Sequence, residues 1–423
     1  IKMNPHKEEG KVRVRFVTND PSIRVTETPF AVTLKLGRLG LSEVVNHLRE
    51  ETDASLHKPF DFLINGKFIR TTLDKHLKKA GLSEEPVITI EYVEAVTPPK
   101  REQENQHDDW ISSVDARSSL GLALTGCYDF GARIVDGSAT TLLTAVGHTA
   151  AVKAVAWTQS SKKNALQFLT ASLDKTVRLW AADVDAKTTC PMAVFKAHTA
   201  SVESISANPD GTRFASGGYD NKLMLWDLQN LPQPAAAVQS KKKRKNASIL
   251  ESHSQAVTTV TWPTQFQLLS GSMDKSIRLW DLETMANSDT MMAPSALHDL
   301  SYSIEAGLIA SAHADHAVRL WDPRITDGKY NIQTLLSHKN WVTSIRWKPN
   351  SATQLLSSSH DGTVKLWDIR SKIALFSLDK HTDKVLCTDW LRNVDSTNSN
   401  DEWKIVSGGA DTKLKIYSSG ESE

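Results

Sequence analysis

One short pattern recurs along this 423-residue chain, and it restricts the fold more than any other feature. The segments LTASLDKTVRLW (169–180), ASGGYDNKLMLWD (215–227), LSGSMDKSIRLWD (269–281), ASAHADHAVRLWD (310–322) and LSSSHDGTVKLWD (356–368) are one unit written five times. Two weaker copies flank them, LTGCYDFGARIVD (124–136) and VSGGADTKLKIY (406–417). The shared turn aspartates are Asp129, Asp174, Asp220, Asp274, Asp315, Asp361 and Asp411, spaced 41 to 54 residues apart. A histidine precedes most copies: His148, His198, His253, His338 and His381, with His298 a looser match. A period of this length means stacked units, each burying its apolar face against the next.

The unit reads as strands. A Ser/Thr-rich alternating run leads into the Asp turn, and a second alternating run such as TVRLW follows. Another sits after each histidine, as in VKAVAW (152–157), VTTVTW (257–262) and VTSIRW (342–347). This is the two-residue period of a half-buried strand. The pattern resembles the WD-repeat family, a β-propeller with four strands per blade. Seven copies imply seven blades over about residues 107–417.

In that family the His, the turn Asp, a strand Ser/Thr and the Trp form a buried hydrogen-bonded set. In the second blade these would be His148, Asp174, Ser172 or Thr170, and Trp180. The matching pairs are Asp220 with Trp226, Asp274 with Trp280, Asp315 with Trp321, and Asp361 with Trp367, and Asp411 marks the last blade. A buried carboxylate is tolerable when donors surround it. The same trio in blade after blade speaks against a Ser/His/Asp catalytic triad. Val135 and Tyr417 stand where Trp is expected, so blades one and seven should be less firmly stapled. Few residues follow Tyr417, so blade seven lacks an outer strand. A segment within 97–108 is expected to supply it and close the ring, because an open blade leaves an unpaired edge.

The first hundred residues have another grammar. KVRVRFVT (11–18) alternates basic and apolar, and FAVTLKL (30–36) can pair with it. LSEVVNHLRE (41–50) reads as a helix with a Ser near its start and Leu41, Val44, Val45 and Leu48 on one face. FDFLINGKFIR (60–70) is a hairpin turning at Asn65-Gly66. TTLDKHLKKAG (71–81) is a short helix ended by Gly81, and PVITIEYVE (86–94) is a last strand. This order resembles ubiquitin. No free Gly-Gly tail follows, so conjugation is not its role. The reading is thus an α+β ubiquitin-like domain (1–96), a linker (97–109), and an all-β seven-bladed WD-repeat propeller (110–423) with an inserted basic loop (229–250).

A ubiquitin-like domain directly ahead of seven WD repeats is similar to the ribosome-biogenesis factors called Ytm in fungi, the WD-repeat member of the PeBoW complex in animals. The likeness extends to DFLINGKFIRTTLDKHL (61–77), EYVEAVTPP (91–99) and HDDWISSV (107–114). The resemblance implies a nuclear, nucleolar and nucleoplasmic factor acting on precursors of the large ribosomal subunit. Its propeller would hold the Erb (block-of-proliferation) scaffold, and Nop/pescadillo would join through that scaffold. The ubiquitin-like domain would be gripped by the metal-dependent adhesion site of midasin, an AAA ATPase that pulls the complex off. The chain would have no cofactor of its own. The Mg²⁺ would be held by the partner ATPase, which leaves a position open for an oxygen ligand. In the family that ligand is an acid in the loop before the last strand of the ubiquitin-like domain. Here the loop is GLSEEP (81–86), with Glu85 the first choice and Glu84 the second.

The partner face of the propeller is sought just before each turn Asp, at Tyr128, Leu173, Tyr219, Met273, Ala314, His360 and Ala410, with Trp341 on the same side. Aromatic and Met side chains gathered on one face form a hot-spot patch. The run Lys241, Lys242, Lys243, Arg244, Lys245 follows a Pro/Ala-rich stretch. It is a nuclear import signal, an RNA-phosphate contact or a solvated loop. The inserts 181–194 and 391–402 carry no motif.

Composition excludes other classes. Lys+Arg number 50 against 49 Asp+Glu, so wholesale polyanion binding is not expected. No apolar run approaches the roughly 18 residues of a membrane span, and no membrane partner is expected. Cys127, Cys190 and Cys387 are too few and too scattered for a disulfide framework or a zinc cluster, which fits a reducing compartment. There is no Gly-rich phosphate loop, HExxH or CxxC, so the chain is not expected to be an enzyme. The rival readings are a Notchless-type factor, which needs an eighth blade, and a substrate receptor of a ubiquitin ligase.

Overall fold

The computed structural model describes residues 10–49, 57–83, 86–96, 98–99, 101–117, 119–158, 166–228, 247–251, 253–325, 328–392 and 403–418. The chain divides into two compact units, 1–97 and 98–423. No helix among the described residues is long and apolar enough to cross a membrane.

The first unit runs β1 (Lys11–Val17), β2 (Phe30–Thr33), α1 (Arg38–Leu48), β3 (Phe60–Ile64), β4 (Lys67–Phe68), α2 (Leu73–Ala80) and β5 (Ile88–Glu94). The sheet order is β2-β1-β5-β3-β4, with β1 parallel to β5. Alternation puts Val12, Val14 and Phe16 of β1 on one face, with Ile88, Ile90 and Tyr92 of β5. Phe60 and Phe62 of β3 complete the layer, and Leu41 and Val45 of α1 with Leu73 and Leu77 of α2 cover it. Each such side chain contributes about 1.5–3 kcal/mol when fully buried. The buried Tyr92 hydroxyl donates to Ile23 O (2.7 Å) and accepts from Val25 N (2.9 Å), tying the loop after β1 to the core. The hairpin turns at Asn65 and Gly66, both at positive φ.

Helix α1 differs from the sequence reading. It starts at Arg38, three residues earlier than expected, with Gly37 as N-cap and no side-chain cap. Ser42 lies inside the helix. Its Oγ shares its proton between Arg38 O one turn back (2.9 Å) and Phe60 O (3.2 Å) and accepts from Phe60 N (3.1 Å). The serine therefore ties the first turn of α1 to the start of β3 rather than capping the helix N-terminus, which keeps a buried hydroxyl fully partnered.

The second unit holds seven four-stranded antiparallel sheets. Their inner strands are Ile111–Arg117, Val152–Thr158, Val202–Ala207, Val257–Thr261, Leu297–Ser303, Val342–Trp347 and Val385–Arg392. Each packs on the next, and the seventh packs on the first, so the ring is closed. The outer strand of blade seven is β6 (Arg101–Gln106), antiparallel to Lys413–Ser418 in the register Lys413↔Gln106 to Ser418↔Arg101. Ion pairs of Lys413 with Glu104 and of Lys415 with Glu102 reinforce this junction.

Two expected inserts are parts of blades. Residues 181–194 extend the outer hairpin of blade two, between Thr176–Asp183 and Thr188–Lys196. Residues 247–250 belong to Ala247–Glu251, the outer strand of blade three. The rest of 229–250, and with it Lys241 to Lys245, lies outside the described residues, as do 393–402.

Four blades carry the complete staple. In blade two His148 Nδ1 meets Asp174 (2.8 Å), Nε2 meets Thr170 Oγ1 (2.7 Å), and Trp180 Nε1 donates to the same hydroxyl (2.9 Å). Thr170 is thus the staple hydroxyl. Ser172 instead donates to Ala150 O and accepts from Asp174 N. His198, Asp220, Ser216 and Trp226 repeat the set in blade three. His253, Asp274, Ser270 and Trp280 do so in blade four, and His338, Asp361, Ser357 and Trp367 in blade six. The carboxylate fixes the tautomer. An ionised Asp can only accept, so Nδ1–H donates to it; in the neutral imidazole Nε2 is then the acceptor and takes the hydroxyl proton, while the hydroxyl accepts from the indole.

The remaining blades depart in different ways. Blade seven keeps His381 with Asp411 (2.9 Å) and Ser407 (2.7 Å), so it lacks only the indole, with Tyr417 in its place. Blade one uses His107, which sequence reasoning missed although it stands four residues before Ile111. Its Nε2 meets Thr125 Oγ1 (3.0 Å), while Asp129 pairs with Arg133 (2.6 Å). Blade five corrects the reading of His298, which takes no part in the staple. His313 meets Ser311 Oγ (2.7 Å), Trp321 Nε1 donates to that hydroxyl (2.6 Å), and Asp315 pairs with Arg319.

A second set of bonds joins neighbouring blades. Trp157, Trp262 and Trp390, each at the end of an inner strand or just past it, donate their indole N–H to Asp115 O, Ser206 O and Arg346 O of the preceding blade. Carboxylates act likewise on backbone donors: Asp115 accepts from Trp157 N, Asp389 from Ala116 N, and Asp299 from Ile345 N. Asp299 also holds Arg346 (2.6 Å).

Candidate partner-binding face

The residue before each turn position is placed by one repeated backbone bond. Its N–H donates to the carbonyl just ahead of the inner strand: Tyr128 to Trp110, Leu173 to Ala151, Tyr219 to Ser201, Met273 to Ala256, Ala314 to Ala296, and His360 to Trp341, at 2.8–3.1 Å. Ala410 bonds to Lys384 in the same way (2.8 Å). The seven positions are therefore equivalent and lie on the side of the ring that carries the Asp turns.

Their side chains are not equivalent. Tyr219 is 53% exposed and Leu173 37% exposed, so both offer free surface. Met273, Ala314 and His360 are half-buried. Ala410 is buried and drops out as a contact. Tyr128 is largely used internally. Its ring meets Trp110 edge-on at 5.6 Å, and its hydroxyl accepts from Lys153 Nζ (3.0 Å), which also pairs with Glu203 (3.6 Å).

The most organised group is one that the sequence showed only in part. Trp341, 46% exposed, is stacked between His298 (centroids 5.3 Å) and His360 (5.5 Å). The sequence points to Trp341 and His360 for this face, whereas it offers His298 only as a loose match to the histidine that precedes a repeat. The available signal was its place directly after the first residue of the inner strand, where His298 follows Leu297. Burial lowers the pKa of both imidazoles. The neighbouring His360 lowers His298 further, and Lys384 lowers His360. Both shifts favour the neutral imidazole, and the three rings present a pre-ordered aromatic plate. Large aromatic surface held rigid before binding is what a protein anchor requires.

The loop expected to offer an acid is bracketed by ordered elements. Helix α2 ends at Gly81 in the left-handed conformation, with Leu82 N donating to Leu77 O (3.1 Å) and Leu82 packed on the core. The chain enters β5 at Ile88. Glu84 and Glu85 themselves lie outside the described residues. Among the described residues no group of three His, Cys, Asp or Glu side chains could hold a metal ion.

Residues 12–77 match the NLE (NUC135) domain, and residues 139–181, 189–227, 244–281 and 329–368 match the WD domain, G-beta repeat. Those four windows end in blades two, three, four and six, the blades whose staples are complete. The chain is 47% identical to a "Ribosome biogenesis protein WDR12 homolog" of Dictyostelium discoideum, over 99% of this chain and 97% of the relative. It is 37% identical to the homologue of Chlamydomonas reinhardtii (97% and 98%) and 36% identical to that of Oryza sativa subsp. japonica (96% and 96%). With the ubiquitin-like sheet, a ring of seven four-stranded blades and relatives matching from end to end, the chain belongs to the WDR12, Ytm-type family of ribosome biogenesis proteins.

Proposed function

We propose that this chain is a non-enzymatic adaptor in assembly of the large ribosomal subunit, working in the nucleolus and nucleoplasm. Its propeller holds the Erb (block-of-proliferation) scaffold through the face bearing Leu173, Tyr219 and the His298–Trp341–His360 stack, and Nop/pescadillo joins through that scaffold. Its ubiquitin-like domain offers Glu85 to the Mg²⁺ of midasin's adhesion site, and the ATPase then releases the complex from the pre-ribosome. The observation that carries the reading is the end-to-end correspondence with proteins named for ribosome biogenesis. The exposed aromatic stack supports the choice of face.

A capture experiment from nuclear extract tests it. The full chain should retain both the scaffold and midasin. Glu85→Ala and Glu85→Asp should each lose midasin alone, since one removes the oxygen ligand and the other shortens its reach. Recovery of cullin adaptors in place of these partners would favour the ubiquitin-ligase reading.

A further inference from the structure

The ubiquitin-like sheet has two faces of opposite character. Val12, Val14 and Phe16 point into the core, so Lys11, Arg13 and Arg15 share the other face, and all three are exposed. A strand rises about 3.4 Å per residue, so the three cations stand in a row about 7 Å apart. The row runs along β1, with β2 on one side and β5 on the other. The register sets Ala31 opposite Arg13, Thr33 opposite Lys11 and Thr89 beside Arg15, so small and hydroxyl side chains flank the long cationic ones.

None of the three has a carboxylate partner among the described residues. Among the described residues, the ion pairs of this unit engage Arg38, Lys58, Arg70 and Lys78 instead. Glu91, whose register partner is Val17, lies within reach of the Asn19 side-chain amide (3.5 Å). Like charges aligned on one sheet face repel, and no ion pair among the described residues offsets that repulsion.

We infer that this row docks on the phosphate backbone of RNA. A line of cations fits a linear polyanion, and phosphate contacts need no apolar anchor. A protein partner would need one. Of the exposed large apolar residues of this unit, Leu39 and Val96 lie outside β1 and β2, and Val87, one residue before Ile88, stands singly beside Arg13 and makes no apolar cluster with the row. RNA is the polyanion on which a ribosome biogenesis protein works, so the inference builds on family membership and is independent of the scaffold and midasin contacts.

The test uses the full chain and a labelled oligouridine, with binding followed by fluorescence anisotropy between about 50 and 200 mM KCl. The variant with Lys11→Gln, Arg13→Gln and Arg15→Gln should bind about tenfold or more weakly at the lower salt, and its log–log salt slope should be shallower by about 2, the loss of three contacts to a single strand. Arg13→Lys with Arg15→Lys should keep both affinity and slope. Circular dichroism and the thermal midpoint should not change, since the substituted side chains are exposed. The same loss should be seen when Lys241 to Lys245 are all replaced by Gln in both proteins. Unchanged affinity and slope in the triple variant overturn the inference. So does loss of midasin capture with RNA binding intact, which would make the row a protein contact.

Discussion

His313 takes in blade five the place of a histidine that Ala293 does not supply. Ala293 stands four residues before its inner strand, where the other six blades carry His107, His148, His198, His253, His338 and His381. His313 stands where blades three and seven carry Gly218 and Gly409. A Cβ added at those glycines would lie 2.6 Å from His198 Nδ1 and 3.0 Å from His381 Nδ1. In those blades the loop imidazole crowds the strand position, and blade five takes the reverse solution.

Exchange of the pair tests that relationship. His313→Ser leaves the Ser311 hydroxyl short of a partner and opens a cavity, and should cost about 2–4 kcal/mol. Adding Ala293→His should recover part of the loss. The thermal midpoints of the single and double variants decide it; an additive, larger loss in the double variant would refute the exchange.

The staples should differ in worth. Thr170→Val strands both His148 Nε2 and Trp180 Nε1, two buried groups at roughly 1–3 kcal/mol each. Thr125→Val strands His107 alone, since Val135 has no donor. Urea denaturation should show the first variant losing about twice as much as the second.

Acid should weaken the propeller well above the carboxylate range. Burial, followed by the charge of Arg133, lowers His107 to about 4, and burial with Arg319 does the same to His313. Both values lie below the unfolded value of about 6.5, so the unfolded chain binds these protons more tightly. The contribution is complete above about pH 6.5 and is lost as pH falls toward 4. The thermal midpoint should drop across that window, and His313→Gln should make the drop shallower.

The inner-strand carboxylates act in the opposite direction. Burial, then the neighbouring Asp389, raises Asp115 to about 7, and burial raises Asp389 as well. A carboxyl raised in the folded state is lost as a stabiliser when pH climbs from about 4 through 7. Asp115→Asn keeps an acceptor for Trp157 N and removes the charge. It should raise the thermal midpoint at pH 8 and change it little at pH 5; equal shifts at both would show that charge is not the cause.

On the partner face, Trp341→Ala and Tyr219→Ala should each weaken scaffold binding by about 2 kcal/mol or more, roughly thirtyfold in Kd. Calorimetry with the purified scaffold measures this. Unchanged affinity in both variants would exclude the face.

The repeat, the blade number, the strand positions and both helices of the small domain were legible because a strand's two-residue period and a stapled turn leave their marks in consecutive residues. The sequence by itself also determined that seven aspartate turns would share one side of a ring. It could not determine which histidine serves which turn. His107 and His313 enter their staples, and His298 leaves for Trp341, because space across a blade decides which imidazole fits, and that space is lined by residues distant in the chain. The same holds for Asp115, Asp299, Arg346 and Asp389: they are unremarkable as letters on four separate strands. Only ring closure brings Asp389 to Ala116 and raises the proton affinity of Asp115.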